Sequence, residues 1–168
     1  MDSLVGDGDV RVGLGFDVHR FEAGGKLVLG GIEIPSDVGL VGHSDADVLI
    51  HALMDALLGA LALGDIGDHF PDTDERYRGI SSVLLLREVV ALIAGKGYRV
   101  VNTDVMVMAE KPKLAPYKSD MVHLLARELR VGPDDVSIKA TTTEKMGFIG
   151  RQEGIAVQAV ALLAPVAK

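Results

Sequence analysis

The side chains best suited to chemistry are Asp17 and His19, two apart, and His51 some thirty residues later. Val12-Gly13-Leu14-Gly15-Phe16-Asp17-Val18-His19 is an apolar run that predicts a strand, on which residues two apart share a face. Asp17 and His19 then project together, while Phe16 and Val18 point away. The block from His43 to His51 predicts a helix start bearing His51 on its second turn. One carboxylate and two imidazoles leave a fourth position open, the ligand count of a catalytic rather than a structural zinc site. An open metal position polarises a substrate oxygen or holds a phosphate. The plainer alternatives are a polar pair at a strand end and a core histidine bonded to a backbone carbonyl, and spacing alone leaves the two readings level.

Other segments are compatible with the same chemistry. Asp47 and Asp55 lie four residues either side of His51, and either can orient its ring. Gly64 to Asp74 reads as a polar loop holding four aspartates. It serves as a solvated turn or, through Asp65 and Gly67, as a seat that accepts hydrogen bonds from ribose hydroxyls and lets a ligand approach the protein backbone closely. Lys111-Pro112-Lys113-Leu114-Ala115-Pro116 is a proline-framed turn that can present backbone amides to a base. Thr141-Thr142-Thr143-Glu144-Lys145 groups hydroxyls, a carboxylate and an ammonium that suit phosphate with a hard cation, although strand propensity also favours threonine. Gly13-Leu14-Gly15 lacks the third glycine and the helix of a dinucleotide fingerprint.

The elements that must position these groups mix without strict alternation. We expect strands at Val10–Val18, Arg99–Ala109, Val136–Thr143 and Ile155–Leu163, with a hairpin over Leu27–Pro35 turning at Gly30-Gly31. Helices are expected from a Ser44 N-cap to about Leu61, with Asp45 and Asp47 in the first turn, from Ser81 or Ser82 to about Gly95–Gly97, and over Lys118–Leu129. This pattern predicts an α+β class, an α/β sandwich with a small mixed β-sheet and helices packed on one face. Residues 1–9 read as a disordered N-terminal tail and 10–168 as one domain.

Composition narrows the function. The 168 residues are 48% hydrophobic with mean hydropathy +0.29, yet charges interrupt every apolar run before membrane-spanning length. The apolar surplus points to a subunit interface. The absence of cysteine excludes disulfides and thiolate metal sites. A net charge of −7 with scattered basic residues argues against nucleic-acid binding. No leader segment is visible, so a cytoplasmic location is expected.

Taken together, the blocks Gly15–His19, His43–Asp47 through Leu53, Leu63–Gly67 with Phe70–Asp74, Pro112–Leu114, Lys139–Lys145 and Gly147–Arg151 with Glu153–Ile155 resemble one family closely. That family is the 2-C-methyl-D-erythritol 2,4-cyclodiphosphate synthases of the non-mevalonate isoprenoid route. The resemblance runs from about Arg11 to Leu163. It implies a homotrimer with a central β-prism and active sites between subunits. It implies conversion of 4-diphosphocytidyl-2-C-methyl-D-erythritol 2-phosphate to the cyclic diphosphate with release of CMP. Asp17, His19 and His51 would hold Zn²⁺, and Glu144 a second divalent cation, Mg²⁺ or Mn²⁺. Catalytic roles would fall to His43, Asp65, Thr142 and Glu144. His43 and Ser44 would meet phosphate, Asp65, Ile66 and Gly67 the ribose, and Asp72 the methylerythritol. Ala109, Pro112, Lys113, Leu114, Ala115, Thr141, Thr142 and Thr143 would line the cytidine pocket of the neighbouring subunit. Phe148 and Arg151 would edge an axial cavity able to take an isoprenoid diphosphate. The rival readings are a metal-dependent diphosphate hydrolase and a non-catalytic isoprenoid-diphosphate-binding trimer.

Overall fold

The computed structural model describes residues 9–166, so most of the expected N-terminal tail lies outside the described residues. A five-stranded sheet has the order β4-β1-β7-β5-β6, built from β1 (Arg11–Ala23), β4 (Val38–Leu40), β5 (Tyr98–Met108), β6 (Val136–Thr141) and β7 (Gly154–Pro165). All neighbours are antiparallel except β5 and β6, which run parallel and are joined through helix α4 (Lys118–Leu129). The mixed α+β class is therefore as expected. The hairpin of β2 (Leu27–Leu29) and β3 (Ile32–Ile34) turns at Gly30 and Gly31, whose φ of +58° and +77° suit a two-residue turn that only glycine enters without strain.

Helices α1 (Val48–Ala60) and α3 (Ser82–Gly95) complete the core. Nearly every side of α1 is buried because it packs against both β1 and β7 on one side and α3 on the other. Its approach to β1 requires glycine. A Cβ on Gly13 would lie 1.9 Å from the Ala56 carbonyl oxygen, and one on Gly15 1.8 Å from that of Ala52. Period-2 alternation then defines two unlike faces on β1. Gly13, Gly15, Asp17 and His19 face inward, while Val12, Leu14, Phe16 and Val18 remain 42–66% exposed. In β5 a bulge between Val100 and Asn102 resets the phase, so that Val100 as well as Thr103, Val105 and Val107 reaches the core.

Several boundaries differ from the sequence expectation. Helix α1 starts at Val48 with Asp47 as N-cap, so neither Asp45 nor Asp47 occupies the first turn. Ser44 does not cap it, because the fully buried Asp47 carboxylate accepts from the amides of Ile50, Gly30 and Gly31. That links the hairpin turn to the helix. Strand β1 continues to Ala23 because its second half pairs with β4, a strand too short to register in the sequence pattern. The aspartate-rich loop contains a single-turn helix α2 (Ile66–His69), capped reciprocally by Asp65 and Asp68. A similar turn, α5 (Gly147–Gly150), precedes β7.

Candidate active site

Beyond Gly13 and Gly15, β1 passes the N-terminal end of α1, and the inward positions can carry large side chains. There Asp17 and His19 meet His51, the fourth residue of α1. Asp17 Oδ2 lies 3.0 Å from His19 Nε2 and 3.1 Å from His51 Nδ1, and the two ring nitrogens are 3.2 Å apart. His19 Nδ1 donates to the Val41 carbonyl, which leaves Nε2 to face Asp17 and His51. Ligand atoms about 2.05 Å from a tetrahedral zinc stand about 3.3 Å apart, so this near-equilateral triangle fits one face of such a site. It is the one such grouping of potential ligands among the described residues.

The electrostatics fit a cation. Burial pushes the Asp17 carboxyl up, but hydrogen bonds from His19 and His51 and their charge hold it well below the usual carboxylate range. Burial lowers His19, and the bond and charge of Asp17 with the Val41 carbonyl outweigh this to raise it. On its far side, His51 Nε2 lies 3.1 Å from Ser44 Oγ and 3.0 Å from Ser82 Oγ. Neither Asp47 nor Asp55 orients the ring. Asp47 holds the hairpin turn, and Asp55 accepts from the amide of Ile66 at 2.8 Å.

The three ligands open into a cavity of about 580 Å³. Gly42, His43 and Ser44 form one wall, and Ile66, Gly67, Phe70, Pro71, Asp72 and Thr73 the other. Phe70 and Tyr77 close its apolar side edge to face, with ring centroids 5.5 Å apart. His43 Nε2 lies 3.2 Å from the Asp74 carbonyl, which tethers the ring to the opposite segment. Asp65 stands at the α2 N-cap, with its side chain committed to the Asp68 amide at 3.1 Å.

The remaining expected residues assemble elsewhere. Val18, Ala156, Met108 and Thr141 lie in one row across β1, β7, β5 and β6. Three strand spacings, roughly 14 Å, therefore separate the metal ligands from Thr141. Ala109 joins that far group through its amide on the Thr141 carbonyl, and Thr142 Oγ1 donates to Glu144 Oε1 at 3.0 Å. Glu110 Oε1 accepts from the amides of Thr143 and Lys145, bracing a turn in which Glu144 and Lys145 have positive φ. Pro112, Lys113 and Ala115 follow β5 in the chain, with Leu114 buried in the core. Phe148 is exposed on α5, and Arg151 donates to Glu153 at 2.6 Å. Sequence reasoning missed Val41, Asp45, Ser82 and the bracing role of Glu110, because their partners are 22 to 37 residues distant.

A family model described as the YgbB family matches residues 10–164. The chain is 59% identical over 157 residues to 2-C-methyl-D-erythritol 2,4-cyclodiphosphate synthase of Desulfitobacterium hafniense (strain DSM 10664 / DCB-2), covering 94% of this chain and 99% of that protein. Among solved structures it is similar to the bifunctional IspDF from Campylobacter jejuni, with TM-score 0.90 and 43% identity over 94% of this chain. It spans only 42% of that longer protein. It is also similar to Plasmodium falciparum IspF in complex with CDP, with TM-score 0.83 and 33% identity over 94% of this chain and 97% of that one.

Proposed function

The chain belongs to the YgbB family, and from that premise we infer that it is an enzyme forming 2-C-methyl-D-erythritol 2,4-cyclodiphosphate in the non-mevalonate route to isoprenoid precursors. The substrate is 4-diphosphocytidyl-2-C-methyl-D-erythritol 2-phosphate. An oxygen of its 2-phosphate bonds to the β-phosphorus, the bond from that phosphorus to the bridging oxygen breaks, and CMP leaves with the electron pair. The observation that carries this reading is the convergence of Asp17, His19 and His51 at the mouth of a cavity walled by His43, Ser44 and Asp72.

The chain supplies no nucleophile because the substrate carries its own. Its work is to hold one end of a flexible molecule against the other, and effective molarities for such positioned groups reach ~10⁵ M or more. His43 and Ser44 are placed to meet phosphate, Asp65, Ile66 and Gly67 to meet ribose, and Asp72 to meet the methylerythritol hydroxyls. Phe70 and Tyr77 help to keep water from the phosphorus, which favours cyclisation over hydrolysis. Asp17, His19 and His51 are assigned to Zn²⁺, and Glu144 to Mg²⁺ or Mn²⁺. Bound there, such cations neutralise charge developing on the phosphate oxygens.

The separation of the two residue groups within one protomer favours an active site shared between subunits of a homotrimer. In that arrangement Ala109, Pro112 to Ala115 and Thr141 to Thr143 receive cytidine from the neighbour's side. The exposed row Val12, Leu14, Phe16 and Val18, with Val160 beside it, supplies an apolar face for a central β-prism. Phe148 and Arg151 would then stand near its axis, where an isoprenoid diphosphate is a candidate ligand. We assign residues 10–168 to this one domain and the enzyme to the cytoplasm. Among the described residues no helix is long and apolar enough to cross a membrane.

³¹P NMR of the products formed from the cytidyl substrate with Zn²⁺ and Mg²⁺ tests the function. Two coupled phosphorus signals from the cyclic diphosphate, together with CMP, are expected. CMP with an open-chain bisphosphate would instead mean hydrolysis, and no CMP would mean a binding protein.

A further inference from the structure

We propose that Glu110 is a positioning residue for the cytidyl diphosphate part of the substrate. Its carboxylate holds the turn from Thr142 to Lys145 in a left-handed conformation, and so fixes where the Thr142 hydroxyl and the Glu144 carboxylate stand. The inference rests on the roles given to Thr142 and Glu144 above. Glu144 and Lys145 have φ of +53° and +63°, two consecutive non-glycine residues in a region that L side chains avoid. Such a backbone persists only where its surroundings impose it. Glu110 Oε1 accepts from the Thr143 amide at 3.0 Å and from the Lys145 amide at 3.2 Å. Among the described residues, Glu110 is the one side chain from outside residues 141–146 that hydrogen-bonds to the turn.

The turn's other side-chain bonds are its own. Thr142 Oγ1 accepts the Glu144 amide at 3.4 Å and donates to Glu144 Oε1 at 3.0 Å, and Thr143 Oγ1 donates to the Met146 carbonyl at 2.7 Å. These join near neighbours and move with the turn, so they cannot fix it against the sheet. Glu110 can, because it directly follows the β5–β6 ladder, which the Ala109 amide extends by bonding the Thr141 carbonyl at 3.0 Å. Thr142 and Glu144 are exposed and can meet a ligand, whereas Glu110 is half-buried and its bonding oxygen is occupied by the backbone. It acts through the turn and is not a catalytic residue. The two amides need an acceptor oxygen at that reach and do not need its charge. A glutamine carbonyl meets the requirement, and an aspartate, one methylene shorter, does not.

Three variants separate reach from charge. Glu110→Gln keeps the acceptor and loses the charge, Glu110→Asp keeps the charge and loses the reach, and Glu110→Ala loses both. Hydrogen exchange at the Thr143 and Lys145 amides reads the turn, calorimetric titration with CDP and Mg²⁺ reads affinity, and Zn²⁺ titration reads the distant centre. Glu110→Ala and Glu110→Asp are expected to speed exchange at those two amides and to weaken CDP about 10-fold or more. Glu110→Gln should stay near the wild type in both, and Zn²⁺ affinity should hold in all three. Unchanged exchange and CDP affinity in Glu110→Ala would overturn the proposal. So would a reversal in which Glu110→Asp behaves as wild type and Glu110→Gln does not, since charge would then be the cause. Zn²⁺ affinity falling in step with CDP would reduce Glu110 to a residue that only stabilises the fold. A wild type that does not bind CDP would overturn the roles given to Thr142 and Glu144, whatever the exchange shows.

Discussion

His19 and His51 stand 32 residues apart in the chain, yet Nε2 of one lies 3.2 Å from Nδ1 of the other with the Asp17 carboxylate between them. In the metal-free protein a proton on His19 Nε2 joins that imidazole to the Asp17 carboxylate. The folded pKa of His19 is raised above its ordinary 6.5, so this stabilisation is full below 6.5 and is lost as pH rises through the folded value. We expect the metal-free melting temperature to fall across that window and the loss to vanish in His19→Gln. Added Zn²⁺ should replace the protons, with affinity declining as pH is lowered. A metal-free protein that gained stability across the window would contradict this.

Gly15 is where packing and chemistry meet. A methyl group there would collide with the Ala52 backbone, one residue from His51, with no flexible side chain to yield. Gly15→Ala should cost about 3 kcal/mol or more and displace α1 from β1. Thermal unfolding and Zn²⁺ retention should both suffer, whereas Gly95→Ala, with open space at its Cβ, should be neutral or better.

Glu128 joins α4 to α3 through a two-pronged bond to Arg87, at 2.6 and 2.9 Å, with Arg127 adding 3.0 Å. The Arg87 bond, against a smaller opposing effect of burial, lowers its carboxyl from 4.5 to about 2. Its contribution is therefore complete above pH 4.5 and fades as pH falls toward 2. Glu128→Gln should cost about 1 kcal/mol at pH 7 and flatten the acid limb of the stability curve between those values. An unchanged acid limb would refute the assignment.

The distance between Thr141 and the metal ligands makes a mixing experiment decisive. His51→Ala and Glu144→Ala protomers should each be inactive alone. Refolded together in equal amounts, a cyclic trimer with shared sites would hold both intact halves in about a quarter of them. Recovery of activity to that level is expected, and no recovery would place each site within one protomer.

The fold and the site were legible in the sequence to different depths. Alternation along β1 gave Asp17 and His19 a common face, and Gly30-Gly31 marked its hairpin, because period and turn chemistry are local. The start of α1 was misplaced by three residues. Ser44, Asp45 and Asp47 are all good capping types, and what selects Asp47 is the hairpin turn 16 and 17 residues upstream. Ser82 showed only as a helix opener, since its partner Asp45 lies 37 residues away. Partners set by tertiary approach leave no periodic trace.

Strand β1 presents an apolar face to one side and glycine, aspartate and histidine to the other, changing hands at every residue from Val12 to His19. Deleting one residue within that stretch would exchange the two sets wholesale. The ligands would turn outward, and leucine or phenylalanine would meet the backbone of α1. Point substitution can tune either face by itself, but this segment has no tolerance for a change in length.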